Sequence, residues 1–219
     1  MTALALWRVS KLMPDTSSKL RPLVRNYSLL LCLLTVVPVS FAAAQSLNSN
    51  LSREQALLEA VKAAETQQAF ILLDGVRDVN YPEADGMTAL HYAVLNNDRE
   101  TTAALLRAGA DINQRTRYGI TPIYLAAQNG SAEISQLLLN AGANPNEVYR
   151  EGERVLMTAA RTGDSDTVRL LLEAGAEVDA REEWHGQTAL MWAVAQQHPQ
   201  LIPVLVEHGA NVNALSNLE

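Results

Sequence analysis

Four glycines, Gly86, Gly119, Gly152 and Gly186, head near-copies of one segment at spacings of 33, 33 and 34 residues, and this repetition constrains the 219-residue chain most. The copies read GMTALHYAVLNN, GITPIYLAAQNG, GERVLMTAARTG and GQTALMWAVAQQ. A second apolar stretch follows each: TAALLRAGADIN, ISQLLLNAGANPN, TVRLLLEAGAEVD and LIPVLVEHGANVN. A unit this short cannot enclose a core of its own. Neighbouring copies must therefore bury their apolar faces against one another, which gives a stack.

Each recurring column has a physical reason. Leu90, Ile123, Leu156 and Leu190 stand three residues before Ala93, Ala126, Ala159 and Ala193, so each pair shares one side of a helix. The alanines let helices approach closely. In the second stretch Leu105, Leu138, Leu171 and Leu205 begin a buried pair that Leu106, Leu139, Leu172 and Val206 complete. Gly109, Gly142, Gly175 and Gly209 follow, where a left-handed residue closes the helix end at no steric cost. Thr88, Thr121 and Thr188 are expected to cap the first helix of their copies. Arg154 holds that place in the third copy and cannot, so that copy is expected to be softest at its start.

These columns, the period and the run TALHYA at 88–93 resemble the ankyrin repeat. The resemblance covers residues 52 to 215. It implies an all-α solenoid of paired antiparallel helices with β-hairpin-like tips. It also implies a scaffold that holds a protein partner against those tips and the concave helix face, with no catalysis. His91 takes the motif's histidine position, whose ring in that family bridges backbone groups. The copies divide at 85–117, 118–150, 151–184 and 185–215, and residues 52–84 read as a degenerate capping repeat in which Val76 replaces the glycine. Ser52, Glu54 and Gln55 supply its helix-start chemistry, while Lys62, Glu65, Gln67 and Gln68 make it polar enough to face solvent. Residues 216–219 follow an end that looks uncapped, with Leu201, Val204 and Leu205 expected to lack cover. Pro203 is expected to fray the last helix.

Candidate contacts are tip residues at which the copies differ. They are Ala84, Asp85 and Met87, then Arg115, Arg117, Tyr118 and Ile120, then Val148, Tyr149, Arg150 and Glu153. The fourth tip has Arg181, Glu182, Glu183, Trp184, His185 and Gln187, and its extra residue is expected to push Trp184 outward. Arg, Tyr and Trp dominate interface hot spots, which singles out Arg115, Arg117, Tyr118, Tyr149, Arg150, Arg181, Trp184 and His185. A row of this kind fits a partner with acidic groups beside an apolar pocket. Tyr92 and Trp192 fall on first helices and are expected to pack partly into the core, with Asn96, Gln128, Arg161 and Gln196 beyond them on the inner face.

The first 44 residues resemble a secretory signal peptide: Arg8, Lys11, Lys19, Arg21 and Arg25 precede the apolar run SLLLCLLTVVPVSF, which leads into Ala42, Ala43 and Ala44. Cleavage is expected before Gln45, with 45–51 a short linker and Met13 an alternative start. The resulting chain would carry 12 Lys and Arg against 23 Asp and Glu, a net −11, and no cysteine, since Cys32 lies in the leader. Such charge argues against nucleic-acid phosphates as partners. Export to the periplasm of a Gram-negative cell, or secretion, is the expectation. An uncleaved leader would instead make a membrane-anchored scaffold, and a longer natural chain would make this the N-terminal arm of an enzyme or effector. Self-association through the last repeat is a further possibility. His185, His198 and His208 lack metal-ligand spacing, and no nucleophile elbow, phosphate loop or dinucleotide fingerprint occurs, so neither cofactor nor metal is expected.

Overall fold

A computed structural model of the protein describes residues 51–217. The expected signal peptide and its expected cleavage before Gln45 lie outside the described residues. Five helix pairs follow in order: α1 (Arg53–Lys62) and α2 (Thr66–Leu73), α3 (Ala89–Leu95) and α4 (Arg99–Arg107), α5 (Pro122–Asn129) and α6 (Ala132–Asn140), α7 (Val155–Thr162) and α8 (Ser165–Glu173), α9 (Ala189–Ala195) and α10 (Leu201–Glu207). First helices pack on first helices and second on second, each on its sequential neighbours. The core is therefore shared between repeats. Ala93, Ala126, Ala159 and Ala193 have no exposed surface, and Leu105, Leu138, Leu171 and Leu205 are equally enclosed.

Among the described residues no strand or sheet exists, so the β-hairpin-like tips expected from the resemblance are corrected to turns. A single isolated bridge, Val148 with Arg154, is the nearest approach to a ladder. Each tip is closed by a backbone bond across its base: Glu83 N to Met87 O (2.8 Å), Thr116 N to Ile120 O (2.9 Å), Tyr149 N to Glu153 O (2.7 Å) and Glu182 N to Gln187 O (3.1 Å), and tip three adds Val155 N to Glu147 O (3.2 Å). One or two bonds do not make a ladder, because the chain turns straight into the next helix.

Caps follow the expected plan only in part. Thr188 Oγ accepts the Met191 N–H at 3.4 Å. Thr88 forms a capping box with His91, its hydroxyl also 2.9 Å from the His91 Nδ1, whereas Thr121 leaves its buried hydroxyl without a partner. Aspartates start two of the outer helices, Asp98 accepting from Thr101 N and Asp164 from Thr167 N. The capping repeat starts as expected, on a reciprocal Ser52–Gln55 pair. Its glycine is displaced rather than missing: Gly75, at φ 88°, ends α2 one residue early, and the extra loop residue restores the register at Val79.

Two expectations about the last repeat also change. Helix α10 begins at Leu201, so Pro203 falls in the first turn, where its missing N–H costs no helical bond. Leu201, Val204 and Leu205 are buried, and their helix packs on α9 and on α8 of the preceding repeat. The residues left open there are Val194 and Val206, with Val212 and Leu215 beyond them.

His91 lies wholly buried with Nδ1 accepting the Thr88 N–H at 3.2 Å and Nε2 3.2 Å from the Ile120 carbonyl of the next repeat. Accepting at one nitrogen and donating at the other requires the neutral ring. Burial pushes its pKa below the usual value, which agrees. Because the register places Leu138 and Leu171 in the shared core, Leu138→Ala or Leu171→Ala should destabilise by about 2–5 kcal/mol in denaturant titrations. A loss below about 1 kcal/mol would contradict that placement.

Candidate functional site: the row of tips

Successive tips meet backbone to backbone. Arg117 N donates to Asp85 O (2.7 Å), Glu183 N to Glu151 O (2.8 Å) and Asn217 N to His185 O (2.6 Å), always from one tip to the tip before it. Glycine makes this approach possible. A Cβ on Gly86 would lie 3.0 Å from the Thr116 Cα, and the residue is left-handed at φ 89°. Residues 211–217, at and just beyond the end of the fourth repeat, thus pack on tip four as a further tip would.

Between tips two and three the pattern breaks: among the described residues no backbone bond joins them, and the Cβ direction of Gly119 faces open space. Tip three has a different backbone. Arg150–Gly152 forms a short 3-10 turn in which Glu151, at φ 59°, adds a left-handed residue before Gly152. Such a conformation is costly for a residue with a Cβ, of the order of 1–2 kcal/mol. Side chains fill the break. The Arg150 guanidinium lies 5.7 Å from the Tyr118 ring and 5.8 Å from the Tyr149 ring, within cation–π range of both. Tyr149 also packs on Tyr124 with centroids 4.4 Å apart, so it is half structural, whereas Tyr118 keeps 49% of its surface.

Three of the singled-out arginines are tied down. Arg115 pairs with the buried Glu147 and donates to Val148 O at 3.2 Å. Arg117 donates to Ala84 O at 2.6 Å, and Arg181 to Leu215 O at 2.7 Å. Each guanidinium spans adjacent tips and so sets their spacing. Backbone carbonyls leave no mark in a sequence, which is why these links were not foreseen.

Tip four carries the more exposed of the two described tryptophans. Trp184 is 70% exposed, as its extra residue predicted, and its ring stacks on His185 at 5.3 Å. What holds it is Glu182, a buried carboxylate that accepts N–H bonds from Trp184 (2.7 Å), His185 (2.8 Å) and Gln187 (2.9 Å). Burial alone would raise its pKa, but these donors outweigh burial and hold it below the usual 4.5. Reading Glu182 as a surface residue missed this role. The only signal was the odd length of its tip.

A groove of about 290 Å³ runs between tips three and four, with Trp184 and Trp192 among its walls and Arg150, Glu151 and Glu153 at its rim. Trp192 is half-buried as expected, near Arg161 at 6.0 Å. Tyr92 donates to Glu83 at 2.6 Å, and burial with that bond pushes its pKa up to about 12. Asn96 spends its amide on Val61 O at 2.8 Å, tying one first helix to the one before it. No group of three or more potential metal ligands occurs among the described residues. Nor is any described helix long and apolar enough to cross a membrane.

Paired helices in register, a shared core and a row of variable turns define a repeat scaffold for contacts with other proteins. The family model for ankyrin repeats in three copies matches residues 25–116, 57–149, 102–182 and 123–216 in overlapping registers, so the chain belongs to the ankyrin-repeat family, a non-catalytic family of protein interaction. No curated protein matches it.

Glu182→Gln removes the charge that organises tip four and should cost about 1–3 kcal/mol. The native contribution is complete above the ordinary glutamate range and is lost as the pH falls through the depressed value. Thermal melts from neutral pH down to acid should therefore converge for the native and variant chains. Equal stability of the two at neutral pH would show that the carboxylate does not hold the tip.

Proposed function

We propose that this chain is an exported ankyrin scaffold that captures a protein partner along tips two to four. The reading rests on one observation above all: Trp184 is a large aromatic surface left open on a loop that is internally fixed by three bonds to Glu182. An exposed tryptophan on a rigid support loses little freedom on binding, which is the condition under which such residues become hot spots. Tyr118 and Arg150 extend the surface across the break, and His185 extends the Trp184 face.

Arg115 is paired with Glu147, but the Arg117 guanidinium bonds only a backbone carbonyl, with no carboxylate against it among the described residues, so an acidic partner still suits tip two. Beside Trp184 the balance differs, because Glu151 and Glu153 stand near Arg150. Export is supported by the basic, apolar and small-residue order of the first 44 residues and by the absence of cysteine after residue 44.

The test has two arms. Protein recovered from the soluble periplasmic fraction should have an intact mass that begins at Gln45, and an uncleaved membrane-bound species would overturn export. A partner captured there should bind Trp184→Ala or Arg150→Ala at least about tenfold more weakly. Stability of Trp184→Ala should change by no more than about 0.5 kcal/mol. Unchanged affinity in both variants would exclude the tips as the contact.

A further inference from the structure

We infer that the groove between tips three and four receives an arginine side chain from an extended segment of the partner, its guanidinium against the Trp184 and Trp192 indoles and paired with Glu151 and Glu153. The inference rests on the reading of the tips as a contact surface and names the partner chemistry that this part of the row selects.

The walls set the shape of the occupant. At about 290 Å³ the groove lies just below the roughly 300–1,000 Å³ of small-molecule sites, which suits one long side chain better than a free ligand. Trp184 spends one ring face on His185 and keeps 70% of its surface. The Trp192 Nε1 is buried without a partner, so what that partly exposed ring offers is carbon rather than its N–H. Indole faces attract a cation through their quadrupole, and a planar guanidinium also stacks on them as an ammonium does not. Arg161 shows this chemistry within the chain, with its guanidinium 6.0 Å from the Trp192 ring and 3.9 Å from Glu153. Both distances are at the outer limit of such contacts, so the ring and the carboxylate keep room for a second cation.

Charge selects the sign. Three carboxylates line the groove, Glu151, Glu153 and Glu182, against Arg150 and His185. Arg150 is engaged on the other side of its tip, its guanidinium 5.7 Å from the Tyr118 ring of tip two. Glu182 is spent on three backbone N–H groups of its own tip. Glu153 takes the Thr158 hydroxyl at 2.7 Å and the Arg161 contact on the same oxygen, Oε1, and no bond falls on its Oε2 among the described residues. Glu151 is freer still. Its side chain makes no hydrogen bond or ion pair among the described residues, yet its backbone is held in the left-handed region at φ 59°. The residues in the same place on the other tips, Asp85, Tyr118 and His185, are not left-handed. A strained carboxylate that nothing inside the chain uses is set for a group outside it.

NMR titration of the full chain as purified tests the pocket, with an acetylated and amidated Gly-Gly-Arg-Gly-Gly peptide as probe. The indole N–H signals of Trp184 and Trp192, assigned from Trp184→Phe and Trp192→Phe, should shift and saturate. The same peptide with citrulline, which keeps the shape and loses the charge, should bind at least about tenfold more weakly. Its lysine counterpart should bind more weakly too, and its glutamate counterpart not at all. Joint Glu151→Gln and Glu153→Gln changes should weaken the arginine peptide by at least about fivefold, and Glu151→Gln alone, at an exposed side chain, by at least about twofold. The single variant carries the test if circular dichroism shows the double one misfolded. Glu133→Gln, on the outer helix α6, should change nothing, which separates the pocket from the general attraction of an acidic chain. Equal affinity for the citrulline, lysine or glutamate peptide, an arginine peptide that moves neither indole, or an indifferent Glu151→Gln would overturn the arginine pocket. A captured partner lost in Trp184→Ala, with no binding of the arginine peptide, would overturn this inference and leave the tip reading standing. Indifference of that partner to both Trp184→Ala and Arg150→Ala would overturn the tip reading itself.

Discussion

Everything in this molecule depends on how closely one repeat can approach the next. On the helical side the limit is set by alanine: Ala93, Ala126, Ala159 and Ala193 are wholly enclosed, and any larger side chain there would hold the first helices apart. On the tip side it is set by a left-handed glycine, which lets the following backbone come to about 3 Å from where a Cβ would lie on Gly86. Because both contacts repeat, the error at each step is small. The tips fall into a row rather than scattering as loops.

That row is where specificity has room to develop. The framework columns are committed to neighbours, and even exposed arginines such as Arg117 and Arg181 serve the spacing of the tips. Trp184, His185, Tyr118 and Arg150 remain, grouped around the third tip and its strained Glu151. The break between tips two and three gives this region a shape that the other junctions lack. Backbone strain is often concentrated at binding surfaces, and the left-handed Glu151 also lines the groove between tips three and four.

Much of the fold was legible in the sequence because repetition averages out local ambiguity. Leu138 and Leu171 could be placed in the core, and Gly109 or Gly175 at a helix end, from columns in which several copies agree. Errors arose where the argument rested on one copy or one bond. Val76 seemed to replace a glycine because the first repeat was aligned without a shift, although Gly75 was present one residue earlier. Pro203 seemed disruptive until the start of α10 at Leu201 placed it in the first turn. The hairpin expectation failed because the one or two backbone bonds of a tip, such as Thr116 to Ile120, do not extend into paired strands. The candidate site was legible in its residue types but not in their bonding. A carboxylate that gathers backbone N–H groups, as Glu182 does, looks in sequence like any surface glutamate.

The tips form one backbone-registered row, interrupted between the second and third. Residue-resolved amide hydrogen exchange on the native chain tests it directly, because the amides of Arg117 and Glu183 belong to exposed loops that nothing but the preceding tip would protect. Both amides, bonded to Asp85 and Glu151, should exchange slowly while the helices remain folded. Exchange of those two amides at the rate of an unstructured peptide would contradict it.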